Sequence, residues 1–359
     1  MNNIMSAPAT IEDQRSNATF KFIEAILPGV EISMDLKAIM SSEQSEFQKI
    51  EVIRSVFGKM LVTDGKTQSS EMDEYVYHES LIHAPLLKVA HNGNGSGPKT
   101  VFIGGGGELA SAREVLRHKS VERVVMVDLD AKVVEVCRKY LPEWGGDKVA
   151  ENPRLELIIG DAYEYLINCT EKFDAIIMDI SDPIEAGPGI MLYTQEFYQH
   201  AKSLLNPNGV FVTQAGMADG ITILDGIVPG SDEDFSSYAA IKNTLETVFE
   251  CTIPYSVNIP SFGSDWGFVM AFDTCKESNL AMLEYTDVKM QEIDDMVDTH
   301  ITEIDDIDSN SGDCKKGGDV LRFYDGMSHR RMFTLTKPLR VNMKMDTRVM
   351  TKDNPVFMY

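Results

Sequence analysis

The feature that most constrains the fold is a set of short, largely apolar runs at 100–103, 123–127, 155–159, 175–178 and 210–214, separated by helical stretches such as "ASAREVLRHK" and "AKVVEVCRKYL". Strands buried on both faces read as unbroken apolar runs, not as alternations. Alternating them with helices specifies an α/β class: a doubly wound, Rossmann-like parallel sheet. The later run "GFVMAFD" is expected to close the sheet.

With 359 residues, the chain is long enough for one large domain and smaller attachments. Residues 1–44 are expected to be an N-terminal segment, helical in parts. Residues 45–95 carry an alternating pattern, "FQKIEVIRSVFGKMLVTDGKTQSS", broken at Phe57-Gly58-Lys59 and turning at Asp64-Gly65, then a linking helix. This predicts a small antiparallel β-hairpin domain. The turn-forming linker "NGNGSGPK" leads into the Rossmann-like domain at 96–275, and 276–359 forms an extension that is first acidic, then basic.

Other classes are disfavoured. The chain lacks the long apolar run of a membrane span, and "MNNIMSAPATIEDQRSNATF" lacks the basic and apolar regions of a leader, so a cytoplasmic location is expected. Cys137, Cys169, Cys251, Cys275 and Cys314 are dispersed without CxxC spacing, which predicts reduced thiols. The sequons at Asn17 and Asn168 are then chance matches. A net charge of −23 disfavours nucleic acid and anionic membranes as partners and favours cationic ligands. "DIDSNSGDCKKG" departs from a calcium loop at positions six and twelve, and the histidines are scattered, so no metal is expected.

The chemistry gathers at the strand ends. "VFIGGGGELASARE" is a strand, a glycine turn containing Gly105 and Gly107, and a helix start, which lets backbone approach a nucleoside. Asp128 ends the second strand, where a carboxylate takes ribose hydroxyls, and Asp161 ends the third, placed to accept from an adenine amino group. The fourth strand ends in "DISDP", so Asp179 and Asp182 stand where an acceptor ammonium can be held and deprotonated. Glu108 projects a charge from the glycine turn. A ligand carboxylate about 4 Å away would be repelled by roughly 4 kcal/mol at an effective dielectric near 20, which favours decarboxylated S-adenosylmethionine as co-substrate and its aminopropyl chain as the transferred group.

"GGGE", "AREVLRHKSVERVVMVDLD", "GDA", "DISDP" and "FYQHAKSLLNPNGVFVTQAG" together resemble the polyamine aminopropyltransferases, the spermidine synthase family, over roughly residues 47–273. "DGKTQS", "DEYVYHESLIH" and "PYSVNIPSFGSDWGFVMAFD" are most similar to the thermospermine synthases; spermidine synthases usually carry Gln in place of His78 and Asp in place of Glu108. The resemblance implies that Gln48, Asp128, Asp161, Ala162 and Pro188 bind the thioadenosine part. It also implies that Tyr77, His78, Glu108, Asp182 and Tyr255 bind amines, and that Asp179 accepts the proton. Leu109 stands where the family usually has Gly.

The expected activity is therefore transfer of the aminopropyl group from decarboxylated S-adenosylmethionine to spermidine, giving thermospermine and methylthioadenosine, without prosthetic group or metal, in a homodimer or homotetramer. The alternatives are a spermidine or spermine synthase of the same family, an S-adenosylmethionine methyltransferase, and an inactive polyamine-binding subunit.

Overall fold

The five apolar runs become the adjacent parallel strands of a seven-stranded sheet. The computed structural model of the chain describes residues 20–27, 29–92, 95–183, 189–218, 227–231, 234, 236–273, 290–308 and 314–357. An N-terminal β region comes first. Strands β1 (Lys21–Leu27) and β2 (Val30–Asp35) form an antiparallel hairpin, and β3 (Ala38–Gln44), β4 (Lys49–Ser55), β5 (Gly58–Thr63) and β6 (Lys66–Ser70) form a four-stranded antiparallel sheet. Asp64 and Gly65 turn β5 into β6 with positive φ at both, as a primed hairpin turn requires.

This corrects the helical reading of the N-terminal segment for residues 20–44; residues 1–19 lie outside the described residues. Strands occupy 21–27, 30–35 and 38–44, and β3 pairs with β4, so the small sheet begins before residue 45. The signal is weak in sequence because β3, "AIMSSEQ", is an edge strand with mostly exposed, polar side chains.

The large sheet comprises β7 (Thr100–Gly105), β8 (Arg123–Asp128), β9 (Leu155–Ile159), β10 (Phe173–Asp179), β11 (Leu205–Met217), β12 (Cys251–Ile259) and β13 (Ser264–Phe272), in the order β12-β13-β11-β10-β7-β8-β9. Pairings from β9 to β11 are parallel, whereas β13 and β12 are antiparallel. From β7 the chain winds outward through β8 and β9, then returns to β10 on the other side. The carboxyl ends of β7 and β10 therefore flank the topological switch point, where an open α/β sheet has its crevice.

Helix α1 (Glu74–Asn92) is more than a linker. Its Leu81, Ile82, Leu86 and Leu87 are fully buried in the core that covers one face of the large sheet. The extension is also part of the core. Ile293, Val297 and Tyr324 join that face, while Leu339, Met343 and Met350 join the opposite one. Glu79 of α1 clamps it in place: its carboxylate accepts from the backbone N–H groups of Arg322, Phe323 and Tyr324 at 2.8–2.9 Å. Among the described residues no helix is long and apolar enough to cross a membrane.

Replacing Glu79 with Ala leaves three backbone donors without their acceptor, one of them buried, at about 1–3 kcal/mol for each group that water cannot reach. The expected result is a destabilisation of about 2–3 kcal/mol, seen as a lower urea midpoint at constant slope. An unchanged midpoint would show that Glu79 does not fasten the extension.

Candidate active site

The glycine turn after β7 is shaped by close approach. Gly105 has φ +80°, and a Cβ there would lie 2.1 Å from the Asp179 carbonyl oxygen; a Cβ at Gly107 would lie 2.8 Å from the Asp128 carboxylate. Only hydrogen fits at either position, so β7 and β10 can lie side by side with β8 closing on the turn. Leu109 keeps the left-handed geometry (φ 77°) that a glycine would adopt freely. Its fully buried side chain offsets a backbone cost of about 1–2 kcal/mol.

The turn opens onto a cavity of ≈ 340 Å³ at the switch point. Gly105, Gly107, Glu108, Asp128, Asp161, Ala162, Asp179, Asp182, Gln48 and Tyr77 all contribute to its wall. The structure thus brings together most of the residues singled out in the sequence.

On the β8–β9 side, Asp128 accepts from Gly107 N–H at 2.8 Å and from Asp130 N–H at 2.9 Å. Burial pushes its carboxyl up to about 6 despite those bonds. Asp161 caps the next helix through Tyr163 N–H at 2.8 Å and lies at the exposed rim, with Ala162 buried beneath it. Gln48 reaches over from β4's start and donates to Asp130 at 3.1 Å.

On the β10 side, each oxygen of Asp179 accepts from a hydroxyl: Tyr77 at 2.8 Å and Ser111 at 2.6 Å. Both donors are neutral, so the carboxylate is fixed in place without being neutralised. Burial, then the charge of Asp179, hold the Tyr77 phenol well above its ordinary range, so it remains a donor. Asp182 accepts from Gln214 at 3.0 Å, and Gln214 also donates to the Ile180 carbonyl at 2.8 Å. Asp182 keeps part of its surface open to the cavity, yet enclosure by protein raises its carboxyl to about 6.

Glu108 accepts from Ser69 at 2.5 Å, and its other oxygen lies 2.6 Å from His78 Nε2, a charge contact outside hydrogen-bond alignment. His78 Nδ1 faces the Glu74 carbonyl at 2.7 Å and carboxylate at 3.0 Å. Burial opposes a charge on the imidazole, but the Glu108 and Glu74 carboxylates beside its two nitrogens outweigh burial and raise His78 to about 10.

Two expectations are corrected. His78 is fully buried behind Glu108 and does not line the cavity. Tyr255 is fully buried as well, stacked on Phe268 at 5.3 Å with its hydroxyl donating to the Ser80 carbonyl at 3.2 Å. In its place Phe262 and Trp266, in T-shaped contact at 4.8 Å, form the apolar wall. Pro188 lies outside the described residues.

Sequence reading missed a further carboxylate. Glu24 of β1 lines the cavity, 7% exposed, accepting from Thr67 at 2.5 Å. Burial raises its carboxyl above the usual range. Lys66 also lines this wall and donates to the Ala25 carbonyl. Among the described residues no cluster of His, Cys, Asp and Glu has the geometry of a metal site.

The chain is similar to known proteins over most of its length. Residues 74–282 match the model of the spermine/spermidine synthase domain, and residues 20–71 match that of the spermidine synthase tetramerisation domain. A polyamine aminopropyltransferase from Aeropyrum pernix is 37% identical over 94% of this chain and 95% of its own length. Thermospermine synthase ACAULIS5 of Arabidopsis thaliana is 37% identical over 94% of this chain and 86% of its own length. The crystal structure of a spermidine synthase in complex with the transition state analogue AdoDATO superposes with a TM-score of 0.71 at 25% identity, covering 91% of this chain and 95% of that one.

Because burial raises the Asp182 carboxyl to about 6, its charge is present above that pH and lost below it. Affinity for a polyamine, measured by calorimetry, should fall as pH drops through about 6. Asp182→Asn should bind more weakly at pH 8 and lose this part of the pH dependence. A wild-type decline centred near pH 4, matched by the variant, would contradict the assignment.

Proposed function

The chain belongs to the spermine/spermidine synthase family, and from that premise we propose that it moves the aminopropyl group of decarboxylated S-adenosylmethionine to spermidine, giving thermospermine and methylthioadenosine. The observation that carries this reading is a single cavity in which an adenosine-type wall (Gly107, Asp128, Asp161) meets four carboxylates, Glu24, Glu108, Asp179 and Asp182. A polyamine and an aminopropyl chain both present ammonium groups, and charge-assisted hydrogen bonds to carboxylates suit them.

In the proposed reaction the thioadenosine part lies along Gln48, Asp128, Asp161 and Ala162, with the aminopropyl ammonium at Glu108. Asp179 takes a proton from the acceptor ammonium. The freed nitrogen attacks the methylene next to sulfur, a C–N bond forms, and the C–S bond breaks with its electron pair left on sulfur, so the sulfonium becomes the neutral thioether of methylthioadenosine. Tyr77 and Ser111 keep the base oriented. Asp182 and Glu24 hold the acceptor's remaining ammonium groups, while Phe262 and Trp266 pack its methylenes.

Support for spermidine as acceptor and thermospermine as product comes from the local motifs around His78 and Glu108 and from fixed acids on separate elements. Spermidine's terminal amines lie three and four carbons from the central nitrogen, and a mismatch of one methylene, about 1.3 Å, spoils ammonium hydrogen bonds whose useful range is a few tenths of an ångström. The proposed assembly is a homo-oligomer through the N-terminal β region, where Ile23, Ile39 and Val56 are exposed.

Asp179→Asn should lower kcat by a factor on the order of 100 to 10,000, with methylthioadenosine affinity nearly unchanged. Near-normal turnover in that variant would remove Asp179 from the role of base.

The acceptor itself is tested by offering putrescine, spermidine and spermine separately with decarboxylated S-adenosylmethionine and separating products against standards. Thermospermine from spermidine is expected. Spermine as the main product would refute the regiochemistry, and preferential turnover of putrescine would refute the acceptor.

A further inference from the structure

Glu108 stands at the meeting point of a closed ring of contacts drawn from elements far apart in the chain. Its Oε2 accepts from Ser69 of β6 at 2.5 Å, and Ser69 in turn accepts from the indole Nε1 of Trp144 at 3.0 Å. Its Oε1 meets His78 Nε2 at 2.6 Å, and His78 Nδ1 meets the Glu74 carboxylate at 3.0 Å. Arg113, in the helix that follows the glycine turn, donates to that carboxylate at 2.8 Å. The same guanidinium closes the ring by donating to the backbone carbonyls of Trp144 at 3.0 Å and Glu143 at 3.2 Å, and it also donates to Glu114 at 2.7 Å.

Ser69, His78, Glu74 and Trp144 are all buried, with exposures of 2%, 0%, 6% and 1%. A buried carboxylate with a free side-chain torsion would either lose its charge or rotate toward any available donor. Here one contact on each oxygen fixes the carboxylate plane and leaves further lone pairs for a ligand. His78 stands as a cation between two anions, and Arg113 supplies the cation that balances Glu74 and Glu114, so the chain of charges alternates in sign along its length.

We propose that Arg113 and Trp144, neither of which lines the cavity, are positioning residues for Glu108, and that the ring they close sets the affinity for the co-substrate's aminopropyl ammonium. This rests on the reading of Glu108 as the partner of that ammonium. A planar fork reaching four acceptors cannot be reproduced by an ammonium point charge, so Arg113→Lys preserves the charge but opens the ring. Trp144→Phe removes the indole donor, and Ser69→Ala removes the last link with the least change in volume.

The test is the KM for decarboxylated S-adenosylmethionine in Arg113→Lys, Trp144→Phe and Ser69→Ala, beside the inhibition constant of methylthioadenosine, which has no aminopropyl group, with Glu108→Gln measured in parallel. The expected result is a KM raised about tenfold in all three, a methylthioadenosine constant changed less than about twofold, and no further loss when Arg113→Lys is added to Glu108→Gln. If Glu108→Gln raises KM and the three variants do not, the positioning role is overturned while the reading of Glu108 stands. If the variants weaken methylthioadenosine in parallel, the ring serves general structure and the proposal fails. An unchanged KM in Glu108→Gln would overturn the reading of Glu108 and the proposal with it.

Discussion

Keeping several carboxylates charged in one enclosed cavity is the constraint on which the rest of this structure depends. An unpaired buried charge is costly enough that the group would take up a proton, unless donors surround it. Each acid here has donors that stop short of cancelling it. Asp179 has two hydroxyls, Asp128 two backbone N–H groups, Asp182 an amide, and Glu24 a threonine hydroxyl. Glu108 is set against the His78 imidazole, whose charge is answered in turn by Glu74, and the Lys66 ammonium in the same wall acts by charge on Glu24 and Asp182. The balance leaves a site that is anionic in sum and oriented in detail, suited to ligands that bring their own positive charges.

Meeting that constraint explains features that otherwise look unrelated. Helix α1 supplies Glu74, Tyr77 and His78 to the site and Glu79 to the extension within six residues, so one buried helix couples the acids to the segment that covers the sheet. The glycines at 105 and 107 exist because strand ends carrying Asp179 and Asp128 must lie against the turn. The N-terminal hairpin does more than extend the β region, since β1 contributes Glu24 to the cavity wall.

The parts legible in the sequence are those in which local pattern and position coincide. An apolar run ending in Asp marks both a strand and its carboxyl end, which is why the sequence alone suffices to put Asp128, Asp161 and Asp179 at the crevice. Glu24 was not legible, because its value depends on β1 lying against β6, a non-local contact across an edge-rich β region. Tyr255 was misplaced for a related reason. Side chains alternate along β12, and whether a tyrosine faces the cavity or the core is decided by what packs on it, here Phe268 and Phe333. The docking of the extension was hidden as well, since Glu79 holds it through backbone N–H groups that leave no trace in side-chain pattern.

The central claim is that the cavity selects ligands by positive charge at Glu108 and not by the adenosyl group they share. Calorimetric titration of the wild-type protein with decarboxylated and with intact S-adenosylmethionine, under the same salt and pH, tests it directly. The account predicts that the decarboxylated form binds at least tenfold more tightly, a difference of about 1.4 kcal/mol, because the added carboxylate of the intact form meets Glu108. Equal affinities, or tighter binding of the intact form, would contradict it.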